Sequence, residues 1–187
     1  MKTLILGGAR SGKSAFAESL AEPHSAVRYV ATALPADPEM AERIRLHRAR
    51  RPDHWETVDA GTDLTAALKG VDSGELVLVD GIGLWLTALL TAVPDADVEP
   101  QLAAGVEALA KLPELIVVSD EVGGGIIPVD PLSRRFRDLM GELNQNLAAA
   151  CDRVVLVTAG LPLELKPTPP VRARSSENTP RNPLCND

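Results

Sequence analysis

Gly7-Gly8-Ala9-Arg10-Ser11-Gly12-Lys13-Ser14 brings glycines, a lysine and a hydroxyl together at the spacing G-x-x-x-x-G-K-[ST]. The chemistry that such a run performs is anion holding. Its glycines let backbone N–H groups turn inward around phosphate oxygens, and a helix opening at Lys13 adds about half a positive charge at its N-terminus. Lys13 is then placed to reach β- and γ-phosphates, and Ser14 to ligate Mg2+. The run stands directly after an apolar strand-like stretch and before a helical one, the context that separates a phosphate loop from a solvated glycine turn. Leu76-Val77-Leu78-Val79-Asp80 offers the partner carboxylate, an apolar run that delivers Asp80 to a sheet edge beside the metal. An aspartate at a strand end also serves as a cap or turn residue. The phosphate loop favours the metal role.

A second constellation centres on His47. Asp37-Pro38-Glu39 is a helix start, with Asp as cap, Pro pre-set for the first turn and Glu favoured by the dipole. Helical spacing then puts Met40, Ile44 and His47 on one face. Arg43, Arg45, Arg48, Arg50 and Arg51 crowd around the histidine in a chain whose formal net charge is -7. A neutral imidazole can attack phosphorus and hold the transferred group as a phosphoramidate, with nearby guanidinium groups neutralising the phosphate charge. The same residues also fit a solvated basic face with a packed histidine, and spacing alone leaves both readings open. His24 and His54 stand in no comparable setting.

Five short apolar runs must position these groups: Thr3–Leu6, Val27–Ala31, Leu76–Val79, Leu115–Ser119 and Val154–Thr158. Each is nearly continuous rather than alternating, as strands buried on both faces are. Helical segments fall between them at Lys13–Ala21, Pro38–Arg50, Leu84–Ala92, Val98–Ala110 and Leu132–Ala150. The alternation predicts an α/β fold with a mainly parallel sheet flanked by helices, of the P-loop NTPase kind. At 187 residues one domain is expected, spanning residues 1–166. Residues 167–187 carry five prolines among Ser, Asn and Arg and read as a disordered tail. The acidic balance, with a pI near 5.0, argues against a nucleic-acid partner. Cys151 and Cys185 provide no secreted disulfide framework, and no stretch has the length of a membrane span, so a cytoplasmic protein is expected.

Several segments together resemble the bifunctional adenosylcobinamide kinase/adenosylcobinamide-phosphate guanylyltransferase family. They are GGARSGKS at 7–14, EMAERIRLHRARRPDHW at 39–55, SDEVGGGIIP at 119–128 and FRDLMGELNQNLAAACDRVVLVTAGLPLELK at 136–166. The likeness runs from Lys2 to Lys166. It implies ATP- or GTP-dependent phosphorylation of the aminopropanol hydroxyl of adenosylcobinamide. GMP transfer from GTP to adenosylcobinamide phosphate follows, and the family assembles as trimers. It also implies a guanylylated histidine, which the match to Arg43-Ile44-Arg45-Leu46-His47 places on His47. Nucleotide contacts are implied on the phosphate loop, on Ala31-Thr32-Ala33, on Arg48, Ala49, Arg50 and Arg51, and on Asp59 of Trp55-Glu56-Thr57-Val58-Asp59. The chain departs from the family pattern in having Asp59 for Glu, Asp120 for Asn, Ala88 for Asn, and Gly124 for a larger residue. Asp80, shared with the metal, is the candidate base toward the corrinoid hydroxyl. Two alternatives are a kinase of another small molecule with an inert His47, and a guanine-nucleotide switch. The [NT]-K-x-D tetrapeptide of such switches does not occur in this chain.

Overall fold

A continuous apolar strand can be buried only if both sheet faces are covered, and the helices divide themselves accordingly. The computed structural model describes residues 1–33, 38–49 and 51–167. Seven strands, β1 (Lys2–Gly7), β2 (Val27–Ala31), β3 (Glu56–Asp59), β4 (Leu76–Asp80), β5 (Leu115–Asp120), β6 (Arg153–Thr158) and β7 (Leu161–Lys166), form one sheet in the order β3-β2-β4-β5-β1-β6-β7. Every neighbouring pair is parallel except β6 with β7. The helices are α1 (Lys13–Ala21), α2 (Pro38–Ala49), α3 (Leu64–Ala67), α4 (Ile82–Ala92), α5 (Asp95–Lys111) and α6 (Pro131–Ala150).

Alternate residues of each central strand feed two cores. Leu4, Leu6, Val77, Val79 and Val117 pack beneath α3 to α6, where Trp85, Leu89, Met140 and Leu143 complete the larger cluster. Ile5, Leu78, Ile116 and Val118 face the other way, against Ala17 and Ala21 of α1 together with Tyr29 and Trp55. Burial of these aliphatic side chains supplies the main drive for folding, at about 25 cal/mol per Å2 removed from water. Helix α6 is started by Asp130, whose side chain accepts the backbone N–H of Ser133 at 2.8 Å, and by Pro131 in its first turn.

All five strands and all five long helices expected from the sequence are present, with ends that shift by up to three residues. The largest shift is in α5, which begins at Asp95 and carries Pro100 inside it. Two strands and one short helix had no sequence signal. Strand β3 is a short polar edge, and β7 is an exposed antiparallel edge that tolerates Pro162 because an edge strand can spare a ladder donor. The expected Asp37 cap, Arg50 and the Pro-rich stretch beyond Pro167 lie outside the described residues.

Candidate active site

The carboxyl ends of the parallel strands converge, and each one delivers a chemically useful residue, as open α/β sheets do. Strand β1 runs into the phosphate loop at Gly7. A Cβ there would fall 2.5 Å from Ser11 Oγ and 2.7 Å from the Val157 carbonyl, so only glycine fits. Gly12 adopts φ +95, the left-handed region, and turns the chain into α1. Arg10 also holds a positive φ of 55, an unusual conformation for a residue with a side chain. The β6–β7 turn braces the loop, since Gly160 N–H donates to Ser11 O at 2.8 Å. The buried Ser11 Oγ has no hydrogen-bond partner among the described residues.

Asp80 is the hub. Its Oδ1 accepts the Ser14 hydroxyl at 3.0 Å, and its Oδ2 accepts the Tyr29 phenol in a short hydrogen bond. Thr32 Oγ1 donates to the backbone carbonyls of Asp80 and Gly81 at 2.9 and 2.6 Å, tying the end of β2 to that of β4. Burial, and then the adjacent Asp80 carboxylate, push the Tyr29 phenol far above its ordinary range, so it stays a donor. Trp55 stacks on Tyr29 with ring centroids 6.4 Å apart, and the Arg51 guanidinium lies 3.4 Å from the Tyr29 ring centroid.

His47 enters this arrangement from α2. Its Nδ1 lies 3.9 Å from Asp80 Oδ2, and the imidazole is 24% exposed. Met40, Ile44 and His47, the three residues of one helical face, line the same cavity of about 210 Å3 as Lys13, Tyr29 and Asp80. His47, Lys13 and Ser14 also border a second, more open cavity of about 530 Å3 between the phosphate loop and α2. The imidazole therefore stands between two spaces that share the phosphate loop.

Ligand atoms of Glu18, His47 and Asp80 fall within 4.8 Å of one another. For a hard cation such as Mg2+, the pair Ser14 Oγ and Asp80 Oδ1 is the fitting oxygen set, already in contact and beside the phosphate lysine.

Of the site residues expected from the sequence, Ala9, Lys13, Ser14, Ala31, Thr32, Ala33, His47, Arg51 and Asp80 border the smaller cavity. Arg10, Ser11 and Gly12 border the larger one, and Gly7 and Gly8 build the loop beneath. Arg48 and Ala49 are exposed on α2 and line neither space. Asp59 is exposed at the end of β3, opposite Ala31 in the ladder. Tyr29 and Glu18 carried no sequence signal, because a tyrosine inside an apolar run and a glutamate on a helix gain meaning only from their neighbours. Asp120, noted in the sequence as a departure, is drawn into the site by an ion pair with Lys13 at 2.9 Å.

The chain is similar to several known proteins. Residues 3–165 match the family described as cobinamide kinase / cobinamide phosphate guanyltransferase. The bifunctional adenosylcobalamin biosynthesis protein CobP of Pseudomonas aeruginosa is 47% identical over 172 residues, covering 90% of this chain and 99% of that protein. The corresponding protein CobU of Escherichia coli is 38% identical over 184 residues, covering 89% of this chain and 100% of its own. Among solved structures, an ATPase from the type III secretion system of pathogenic bacteria gives a TM-score of 0.52 at 11% identity. That alignment covers 84% of this chain and 51% of the ATPase and concerns the P-loop NTPase fold alone. With nearly its whole described length matched, the chain belongs to the cobinamide kinase / cobinamide phosphate guanyltransferase family.

Proposed function

We propose that the chain carries both activities for which its family is named. It phosphorylates the aminopropanol hydroxyl of adenosylcobinamide with ATP or GTP, then transfers GMP from a second GTP to the new phosphate, giving adenosylcobinamide-GDP. The observation that carries the reading is the placement of His47 beside Asp80, on a cavity shared with Lys13 and Ser14 of the phosphate loop. An imidazole packed for structure alone has no need of that position.

In the kinase step the loop amides from Gly8 to Ser14 and the Lys13 ammonium gather the triphosphate. Mg2+, held through Ser14 and Asp80, supplies neutralisation of the β- and γ-phosphate oxygens when bound. Catalysis at this step is mostly positioning and charge stabilisation. Tyr29, whose phenol donates to Asp80, keeps that carboxylate aimed at the Ser14 hydroxyl.

In the second step an imidazole nitrogen of His47 attacks the α-phosphorus of GTP. The N–P bond forms as the bond to the bridging oxygen of the β-phosphate breaks, and pyrophosphate leaves. The cobinamide phosphate oxygen then attacks the same phosphorus, the N–P bond breaks, and the imidazole returns to its neutral form. Asp80, 3.9 Å from Nδ1, sets a negative charge beside the ring that stabilises the positive charge developing on the imidazole as the N–P bond forms. Ala31, Thr32 and Ala33 at the end of β2, Asp59 at the end of β3 and Arg51 over the Tyr29 ring extend the nucleotide surface, with Arg48, Ala49 and Arg50 following the histidine in the chain.

Incubation with α-labelled GTP tests the reading. Wild-type protein acquires acid-labile label and His47→Ala does not, while Lys13→Ala loses both activities. An unlabelled wild-type enzyme that still phosphorylates cobinamide would leave a kinase without a histidine intermediate. The same proposal makes the protein a cytoplasmic homotrimer, as the family resemblance implies, so sedimentation should give about three times the 19.8 kDa chain mass. No described helix is long and apolar enough to cross a membrane.

A further inference from the structure

The lysine that should meet the nucleotide is held by an acid. Lys13 Nζ lies 2.9 Å from Asp120 Oδ1 and donates to the Gly8 carbonyl at 3.1 Å, turned back onto its own loop. The pair is well shielded, with Lys13 11% and Asp120 30% exposed. Asp120 cannot easily drift away. Its backbone is paired opposite Gly7 in the sheet, and its carbonyl accepts the Asn144 side-chain amide at 3.0 Å. Its other carboxylate oxygen fills the space above Gly83 in the first turn of α4, where an added Cβ would come within 2.4 Å. Strand β5 lies between the phosphate-loop strand and the Asp80 strand, so this carboxylate stands between the loop and Asp80 and lines the smaller cavity.

We propose that Asp120 is a charge lock on the phosphate-loop lysine. Before nucleotide arrives, its carboxylate takes the position of a terminal phosphate oxygen. When a triphosphate enters, Lys13 must exchange one anion for another, and the Asp120 charge is left facing the phosphates. That repulsion is relieved only when a divalent cation sits among these oxygens, so capture of the triphosphate becomes conditional on the metal. A neutral amide at the same place could still accept a hydrogen bond from the lysine, but it would hold it without a charge and would not repel the phosphate. The inference rests on the reading of Gly7–Ser14 as the triphosphate cradle.

The test is GTP affinity, measured by calorimetry on the full chain in EDTA and in excess Mg2+, for wild type, Asp120→Asn and Gly83→Ala. Asp120→Asn is expected to bind metal-free GTP about tenfold more tightly than wild type, with the Mg2+-to-EDTA affinity ratio smaller by the same factor. Gly83→Ala, which pushes the carboxylate off its seat through a different residue, should shift the ratio in the same direction. A ratio that is unchanged in both variants overturns the lock while leaving the cradle intact. Folded wild-type protein that binds no GTP even with Mg2+ overturns the cradle reading and the lock together.

Discussion

At the scale of single residues, Asp80 governs the site because one carboxylate meets a hydroxyl from the phosphate loop, a phenol from β2 and an imidazole from α2. A carboxylate with several neighbours does chemistry only if its orientation is fixed, and the Tyr29 phenol fixes it. Tyr29→Phe keeps the ring, its stack with Trp55 and the overlying Arg51, and deletes only the donor to Asp80. If Asp80 holds Mg2+ as proposed, this should lower the apparent Mg2+ affinity of the kinase step by about tenfold, the size of effect that losing a partner of a metal ligand produces. The melting temperature should move little. A metal titration of initial rates reads the first effect, and unchanged metal affinity would assign Tyr29 to packing.

At the scale of elements, the strand ends are tied to the helices that follow them by local hydrogen bonds. Helix α6 shows this through Asn144, whose side-chain amide donates to the Asp120 carbonyl at the end of β5, and its own N-terminus is capped by Asp130. The Ser133 hydroxyl, and then the Ser133 amide, hold the Asp130 carboxyl below its ordinary value of 3.8. A carboxylate whose folded pKa is depressed stabilises the protein above the unfolded value and loses that contribution as pH falls through the folded one. Asp130→Ala should therefore melt at a lower temperature than wild type near neutral pH. The difference should shrink as pH is lowered below about 4, where the carboxyl takes up its proton in the unfolded chain first. A gap that persists in acid would mean that the residue acts through its shape rather than its charge.

At the scale of the whole molecule, four helices cover one sheet face while α1 packs on the other, and α2 contributes no fully buried residue among the described ones. The histidine proposed to carry GMP thus sits on a helix with little commitment to the core, which suits a group that must approach the α-phosphorus of one substrate and then release it to another. The proposed folding unit ends at residue 166. Lys166 Nζ donates to the Ala148 and Cys151 carbonyls, closing β7 onto the end of α6. A chain stopped after Pro167 should keep the melting temperature and both activities of the full chain. Loss of either would give the Pro-rich extension a role in the folded protein.

The local pattern by itself determined the phosphate loop, the run ending in Asp80, the five buried strands and the one-sided arrangement of Met40, Ile44 and His47. Each is written in consecutive residues or in helical spacing, so neighbours in the chain suffice to specify it. Strands β3 and β7 were not legible, because short polar or exposed edges acquire their shape from the ladder partner. Nor were the roles of Tyr29 and Asp120 legible. Tyr29 reads as one more apolar strand residue, and Asp120 as a substitution in a familiar stretch. Only the tertiary structure set Asp120 beside Lys13, and Tyr29 and His47 beside Asp80. The physical reason is that the sheet order sets β5 beside β1 and β2 beside β4, bringing together side chains that lie far apart in the chain.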